Sequence, residues 1–205
     1  MSPPAIHPTA IVEEGVEIGN GTRVWDHVHI RKDARIGRSC IIGEKTYIAY
    51  DVVIGDCVKV NTAVYICTGV TVEDFCMLSA HVVFTNDRFP RAGDRELTGL
   101  ETSDVSEETL RTRVGRGATV GANATIGPGI TLGTFSMVGM GAVVTRDVPA
   151  RGLVVGNPAR LVAWVCQCGP PLVRFAGEPA AGGDVACTRC GRRYAIEAQG
   201  PRPLS

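Results

Sequence analysis

An aliphatic or aromatic residue stands at every sixth position from Ile6 through Val12, Ile18, Val24, Ile30, Ile36, Ile42, Ile48, Ile54, Val60, Ile66, Val72 and Leu78 to Phe84. The same beat resumes at Val114 and runs through Val120, Ile126, Leu132 and Val138 to Val144. An amphipathic helix repeats its apolar residues at three and four, and a half-buried strand alternates, so neither explains a period of six. A second register, four residues after the first, is small or apolar, as at Ala34, Cys40, Val58, Val64, Ala118 and Ala124. Two inward residues per six, one large and one small, suit a thin prism whose walls are short strands and whose corners are tight. Glycine often follows the aliphatic residue, as at Gly19, Gly37, Gly43, Gly55, Gly121 and Gly139. A tight corner or a close neighbouring backbone favours a residue without Cβ there.

This pattern predicts an all-β chain, a parallel β-helix of hexapeptide repeats. At 205 residues the chain has room for one principal domain and a small appendage. Positive and negative charges balance at 21 each, so no bulk electrostatic attraction to nucleic acid or to an anionic membrane surface is expected. The opening "MSPPAIHPTA" does not read as a signal peptide, and no long continuous apolar segment occurs. A soluble, cytoplasmic protein is the expectation.

The run "VVIGDCVKVNTAVYICTGVTVED" resembles the left-handed β-helix acyltransferases over roughly residues 6–160. That resemblance, not the period, implies the left hand and three hexads per coil, hence between six and seven coils for twenty hexads. Four further segments, "VWDHVHIRKDARIG", "VVFTNDRFPRA", "RGATVGANATIGPGITLG" and "MVGMGAVVTRDVPARGLVVGNPAR", are similar in their order to the hexapeptide N-acetyltransferases of sugar nucleotides. The resemblance implies transfer of acetyl from acetyl-CoA to a ring amine of a UDP- or dTDP-linked amino sugar, and a homotrimer with sites between adjacent prisms. In the stretches "VNTAVYICTGV" and "CMLSAHVVF" the chain departs from the family, keeping Asn61 without its usual paired amide and placing Ser79-Ala80 where Gly-Pro is common. Those departures leave the identity of the sugar open.

The prism interior is inert, so chemistry is expected where the rhythm breaks. From residue 85 to 113 runs a long insertion rich in charge, Pro, Gly, Ser and Thr, longer than a mere connection in a compact domain. At its base, Asn86 offers an amide donor and acceptor and Asp87 a carboxylate that can orient an amine or accept its proton. Asx residues capping the loop are the alternative for both. His81, just before the insertion, could act as a base near neutral pH or be a plain surface histidine. The resemblance implies a nucleotide-sugar site at Trp25, His27 and His29, with Asn61 and Arg91 nearby; a solvated strand face is the alternative for each histidine.

For coenzyme A the family pattern points to the later coils. Gly121, Ala122, Gly139 and Met140 would take the pantetheine, while Arg146, Asn157 and Arg160 would stand near the phosphates and adenine.

Four of the eight cysteines lie within the repeats and read as reduced structural residues. The others, Cys166-x-Cys168 and Cys187-x-x-Cys190, match a closed four-thiolate structural zinc site. A short segment with so little core needs such a staple to fold; a disordered cysteine-bearing tail is the alternative. The chain therefore divides into a β-helix domain over 1–160, with the inserted loop 85–113, and a zinc-ribbon-like module and tail over 161–205. Rival functions are an O-acetyltransferase of a sugar or antibiotic hydroxyl, and a non-catalytic β-helix scaffold. A γ-class carbonic anhydrase would need three metal histidines at a spacing that the four histidines lack.

Overall fold

The computed structural model describes residues 2–101, 109–175, 177 and 182–204. Within those residues the chain is all β, and short parallel strands wind into a three-faced prism. The first face stacks Ala5–Ile6, Arg23–Val24, Ile41–Ile42, Lys59–Val60, Met77–Leu78, Thr119–Val120 and Met137–Val138. The second stacks Ile11–Val12, His29–Ile30, Tyr47–Ile48, Tyr65–Ile66, Val83–Phe84, Thr125–Ile126 and Val143–Val144. Glu17–Ile18, Arg35–Ile36, Val53–Ile54, Val70–Val72, Thr112–Val114 and Thr131–Leu132 form the third.

Register follows directly from the hexads. Arg23 pairs with Ile41 and Val24 with Ile42, so residues eighteen apart stack and three hexads make one coil. The second residue of each strand points inward: Ile30, Ile42, Ile48, Val60, Leu78, Phe84, Val120, Ile126 and Leu132 have no exposure. The small register at Val28, Ala34, Val52, Val82, Ala118 and Ala124 fills the space between them. Each such aliphatic contributes about 1.5–3 kcal/mol on full burial. At the N-terminal end no coil lies below, so Ile6 and Val12, although in register, stay 43% and 36% exposed.

Glycines and corners play different parts from those one position suggests. The glycines that follow the aliphatic residues are close-approach sites: a Cβ on Gly43 would stand 2.6 Å from the Asn61 carbonyl carbon, and one on Gly121 2.6 Å from the Met140 nitrogen. The turn itself is made two residues later. There the backbone has positive φ at His27, Asp33, Ser39, Lys45, Asp51, Cys57, Ala63, Phe75, His81, Asn123 and Phe135, and at Gly69, Gly117, Gly129 and Gly141. Non-glycine residues rarely adopt this conformation. Most corner amides donate to a carbonyl of the coil below, as His81 N–H does to Thr62 O at 3.0 Å, while those of His27 and Gly129 donate to the hydroxyls of Thr9 and Thr112.

The helix is longer than the hexads alone indicate. After Val144 the inward positions are Val148 and Val154, 2% and 5% exposed, again six apart but slipped by two residues. Val148 bridges Leu132, and Gly152–Val155 adds an eighth parallel strand to the first face by pairing with Met137–Val138. The strand Arg160–Val165 then turns back antiparallel on Gly152–Val155, and Pro171–Arg174 follows it. A separate antiparallel sheet of Asp184–Ala186, Arg193–Glu197 and Gly200–Pro203 completes the C-terminal module.

The insertion leaves the second face after Phe84 and rejoins the prism in the strand Thr112–Val114, which pairs with Val70–Val72. The loop proper thus ends two residues before the expected 113. Its residues 102–108 lie outside the described residues. Leu110 returns against Gly129 and Gly69, while Phe89, Leu97 and Leu100 are 81%, 82% and 86% exposed.

Candidate active site and four-cysteine centre

The eighteen-residue stacking decides which residues share an edge. Along the edge between the first and second faces, Trp25, Gly43, Asn61, Ser79, Gly121 and Gly139 form one column. Asp26, Glu44, Thr62, Ala80, Ala122 and Met140 form the next, and the carbonyls of the first five accept corner amides from the coil above. Trp25, Asn61, Gly121, Ala122, Gly139 and Met140, singled out separately along the sequence, therefore lie on one continuous edge. Trp25 is 47% and Met140 82% exposed. A groove of about 320 Å³ opens along this edge, lined by Trp25, Gly43, Glu44, Asn61, Thr62 and Ala80 among others. His27 and His81 occupy the adjoining corner column and are exposed. Three coils separate them, about 14 Å at ~4.8 Å per coil, so they cannot act on one atom.

His29 is elsewhere, on the second face. Its Nε2 lies 2.9 Å from Glu13 Oε1, and its ring meets Tyr47 edge-on at 5.5 Å, with Tyr47 stacked on Tyr65 at 5.3 Å. Arg31 Nη1 donates to the Tyr47 hydroxyl at 2.7 Å, Arg31 Nη2 reaches the Tyr50 hydroxyl, and Arg31 Nε pairs with Glu13 at 2.6 Å. The Lys32 amide, followed by His29 and Arg31, holds the Glu13 carboxyl below its ordinary range.

Asn86 and Asp87 leave from the next edge, between the second and third faces, in line with Tyr50 and Thr68. Asp87 Oδ1 accepts the Phe89 amide at 2.9 Å, an Asx turn that caps the start of the loop. Asn86 is half-buried and Asp87 exposed. Arg91 is exposed in the loop, with Nη1 donating to the Pro90 carbonyl at 3.0 Å. Within one chain the second face stands between these residues and the groove beside Trp25.

Glu44 and Thr62 were missed by the motif reading. Their signal was available: they stand eighteen residues apart, one coil, immediately after Gly43 and Asn61. Glu44 supplies the groove with a carboxylate, which can hold an ammonium group.

At the far end, Arg146 and Arg160 share a second groove of about 180 Å³ with Asp147, Pro149, Ala159 and Leu161. Neither arginine is ion-paired among the described residues. Asp147 Oδ1 accepts the Thr131 amide at 2.8 Å. Asn157 is exposed on the adjoining turn, where its peptide bond to Pro158 is cis.

The four C-terminal cysteines converge. Their sulfurs all lie within 4.8 Å of one another. Neighbouring pairs are 3.6 Å apart for Cys166 and Cys190, 3.5 Å for Cys166 and Cys168, and 3.6 Å for Cys168 and Cys187. A disulfide would need ~2.05 Å, whereas a tetrahedral thiolate shell with bonds of ~2.3 Å puts sulfurs ~3.8 Å apart. The donor set and its geometry fit zinc. Around it, the Tyr194 hydroxyl lies 3.2 Å from Cys166 Sγ and Arg192 Nη1 3.7 Å from Cys190 Sγ.

Comparison with known proteins agrees with this architecture. The family described as bacterial transferase hexapeptide (six repeats) matches residues 15–50, and the hexapeptide repeat of succinyl-transferase matches 111–146. The chain is 44% identical over 189 residues to the dTDP-3-amino-3,6-dideoxy-alpha-D-galactopyranose 3-N-acetyltransferase of Aneurinibacillus thermoaerophilus, covering 92% of this chain and 89% of that one. It is 31% identical to serine acetyltransferase 4 of Arabidopsis thaliana over 82% of this chain, but spans only 31% of that enzyme. The fold is also that of a D94N mutant of AntD, an N-acyltransferase from Bacillus cereus, solved with dTDP and coenzyme A, at a TM-score of 0.54 and 19% identity, covering 80% of this chain and 82% of that one. With a hexapeptide prism and a nearly full-length relative at this identity, the chain belongs to the hexapeptide-repeat acyltransferase family and is an acyltransferase.

Proposed function

We propose that the protein transfers acetyl from acetyl-CoA to the 3-amino group of a dTDP-linked amino sugar. The nearly full-length 44% identity to an enzyme named for that reaction carries the reading. In the reaction the neutral amine attacks the thioester carbon, the carbon–sulfur bond breaks, and the amine proton passes to the leaving thiolate directly or through a relay.

The residues divide this work by place. Trp25 offers a flat apolar surface to the nucleotide or sugar, with Glu44, Asn61 and Thr62 as polar partners in the same groove. His27, His29 and Arg91 lie farther out and take supporting roles in substrate binding. Gly121, Ala122, Gly139 and Met140 form the pantetheine track, which leads toward Arg146, Arg160 and Asn157 for the phosphates and adenine. Asn86 positions the amine, with Asp87 as proton acceptor, and His81 is the alternative base.

Asn86 and Asp87 lie across the second face from the groove, which favours a homotrimer whose neighbouring chain brings one edge against the other. The second face suits such packing, since six of its seven outward positions, Ile11, Tyr47, Tyr65, Val83, Thr125 and Val143, carry no charge, the seventh being His29 beside Glu13. The four cysteines hold a structural zinc ion that staples the 161–205 module, a closed shell with no position for substrate. Among the described residues no helix is long and apolar enough to cross a membrane; a cytoplasmic site of action fits a soluble nucleotide-sugar substrate.

The test is mass spectrometry of products from the purified protein, acetyl-CoA and a panel of UDP- and dTDP-linked amino sugars. A single product heavier by one acetyl group, formed from a dTDP-3-amino sugar, is expected. Preference for an acceptor bearing hydroxyl in place of the amine would establish O-transfer instead.

A further inference from the structure

The strand Arg160–Val165 joins two places that the proposed reaction uses separately. Its first residues, Arg160 and Leu161, line the end groove beside Arg146. Its last residue runs directly into Cys166, one of the four converging thiols. Leu161 packs against both the prism core and the small core around Trp164, Cys166, Tyr194 and Ile196. The same strand pairs on one side with Gly152–Val155, the last rung of the prism, and on the other with Pro171–Arg174.

A second tie lies at the other end of the strand. Arg151 is 9% exposed, and its guanidinium carbon sits 4.9 Å from the Phe135 ring centroid and 5.2 Å from that of Tyr194. The Tyr194 hydroxyl in turn touches Cys166 Sγ. The Arg151 carbonyl accepts the Val165 amide at 2.8 Å, one residue before Cys166. The four-cysteine centre is thus fastened to the prism at both ends of the strand that carries Arg160.

We infer that metal in the four-cysteine centre sets the position of the strand Arg160–Val165, so that metal loading and coenzyme A binding at the end groove are coupled. The inference rests on the reading of that groove as the coenzyme A phosphate and adenine site. The small core holds few large side chains and cannot fix its own geometry without the staple. Once the thiol shell is lost, the strand keeps its ladder to Gly152–Val155 but loses its anchor at Cys166, so the packing of Leu161 on the small core, and with it the setting of Arg160, loosens. A ligand that favours the ordered strand must then pay the ordering free energy itself, which is thermodynamic coupling between sites.

Such coupling is reciprocal, and both directions can be read on the full chain. Zinc content is measured on the purified protein, and coenzyme A affinity by calorimetry before chelation, after chelation and after zinc is restored. Far-UV circular dichroism reports whether the prism persists. The expected result is a coenzyme A Kd weakened about tenfold by chelation, within the ~5–150-fold range of ordinary coupling, and recovered on reloading. In the reverse direction, coenzyme A should slow zinc loss from the native protein to a chromogenic chelator, an arm that needs no metal-free protein and decides the matter if stripping unfolds the chain. Zinc bound and released with no change in coenzyme A affinity, or zinc loss indifferent to coenzyme A, overturns the coupling. Purified protein without zinc, yet binding coenzyme A normally and indifferent to added zinc, overturns both the metal reading and the coupling. Zinc present with no coenzyme A binding under any condition instead overturns the assignment of the groove, and the coupling with it.

Discussion

Arg151 and Tyr194 face each other across the junction of prism and C-terminal module, with the guanidinium carbon 5.2 Å from the tyrosine ring centroid. The same guanidinium carbon lies 4.9 Å from the Phe135 ring centroid, and Phe135 lies over Gly117, whose missing side chain leaves room for the ring. An arginine this buried against two rings contributes through stacking and packing as well as charge. Arg151→Ala is expected to destabilise the module by about 2 kcal/mol. It should speed proteolysis within residues 166–204 while leaving the prism protected. Equal loosening of both parts would show that the two rings do not form a local tie.

Substitution inside the prism should be far more damaging. Ile54 is 2% exposed in the middle of the third face, and every residue of its layer is apolar or small. Ile54→Asp buries a carboxylate with no partner, so a loss of more than ~4 kcal/mol is expected, seen as failure to accumulate folded protein. A soluble variant melting near the parent would contradict the packing described here.

Two glycines on one edge separate close approach from conformational freedom. Gly43→Ala places a Cβ 2.6 Å from the Asn61 carbonyl carbon in a backbone that does not require glycine. It should destabilise by about 1–3 kcal/mol through overpacking and distort the groove beside Trp25. Gly141→Ala meets nothing within 4 Å but has φ of +67°, so only a left-handed backbone penalty of ~1 kcal/mol applies. Thermal melts of the two variants should rank in that order.

The repeat cysteines should differ sharply in reactivity. Burial pushes the Cys67 thiol up to about 12 and that of Cys76 up to about 11, so neither carries appreciable thiolate at pH 8. Cys57 is exposed at a corner. With zinc bound, a maleimide at pH 8 should label Cys57 first, while Cys67 and Cys76 stay unmodified until the protein unfolds; peptide mapping reads the order.

Acidification should weaken the N-terminal coils through Glu13. Its carboxyl is held below the ordinary value of 4.5 chiefly by the Lys32 amide. A depressed folded value means that the stabilisation is complete above the unfolded value and is lost as pH falls through the folded one. Glu13→Gln should therefore lower the melting temperature at pH 7, with the difference from the parent shrinking below pH 4.5. A difference constant down to pH 3 would mean that the charge on Glu13 is not what stabilises this corner.

Much of this protein was legible in the residues themselves. A period of six, with a large and a small inward position, admits few folds, because an inward residue can recur at that spacing only if the chain turns after every short strand. The converging cysteines were legible for a similar reason: four thiols in two close pairs have few stable arrangements in so small a module. The slip from Val144 to Val148 and Val154 was not, because a shortened corner changes the count without changing the architecture. Nor could the linear order show that Trp25, Asn61 and Gly121 share one edge while Asn86 and Asp87 stand on another. Local sequence determined which residues point inward, since that follows from strand pleat and burial. Only the stacking of coils decided which outward residues are neighbours, because residues one coil apart meet through hydrogen bonds between strands rather than along the chain.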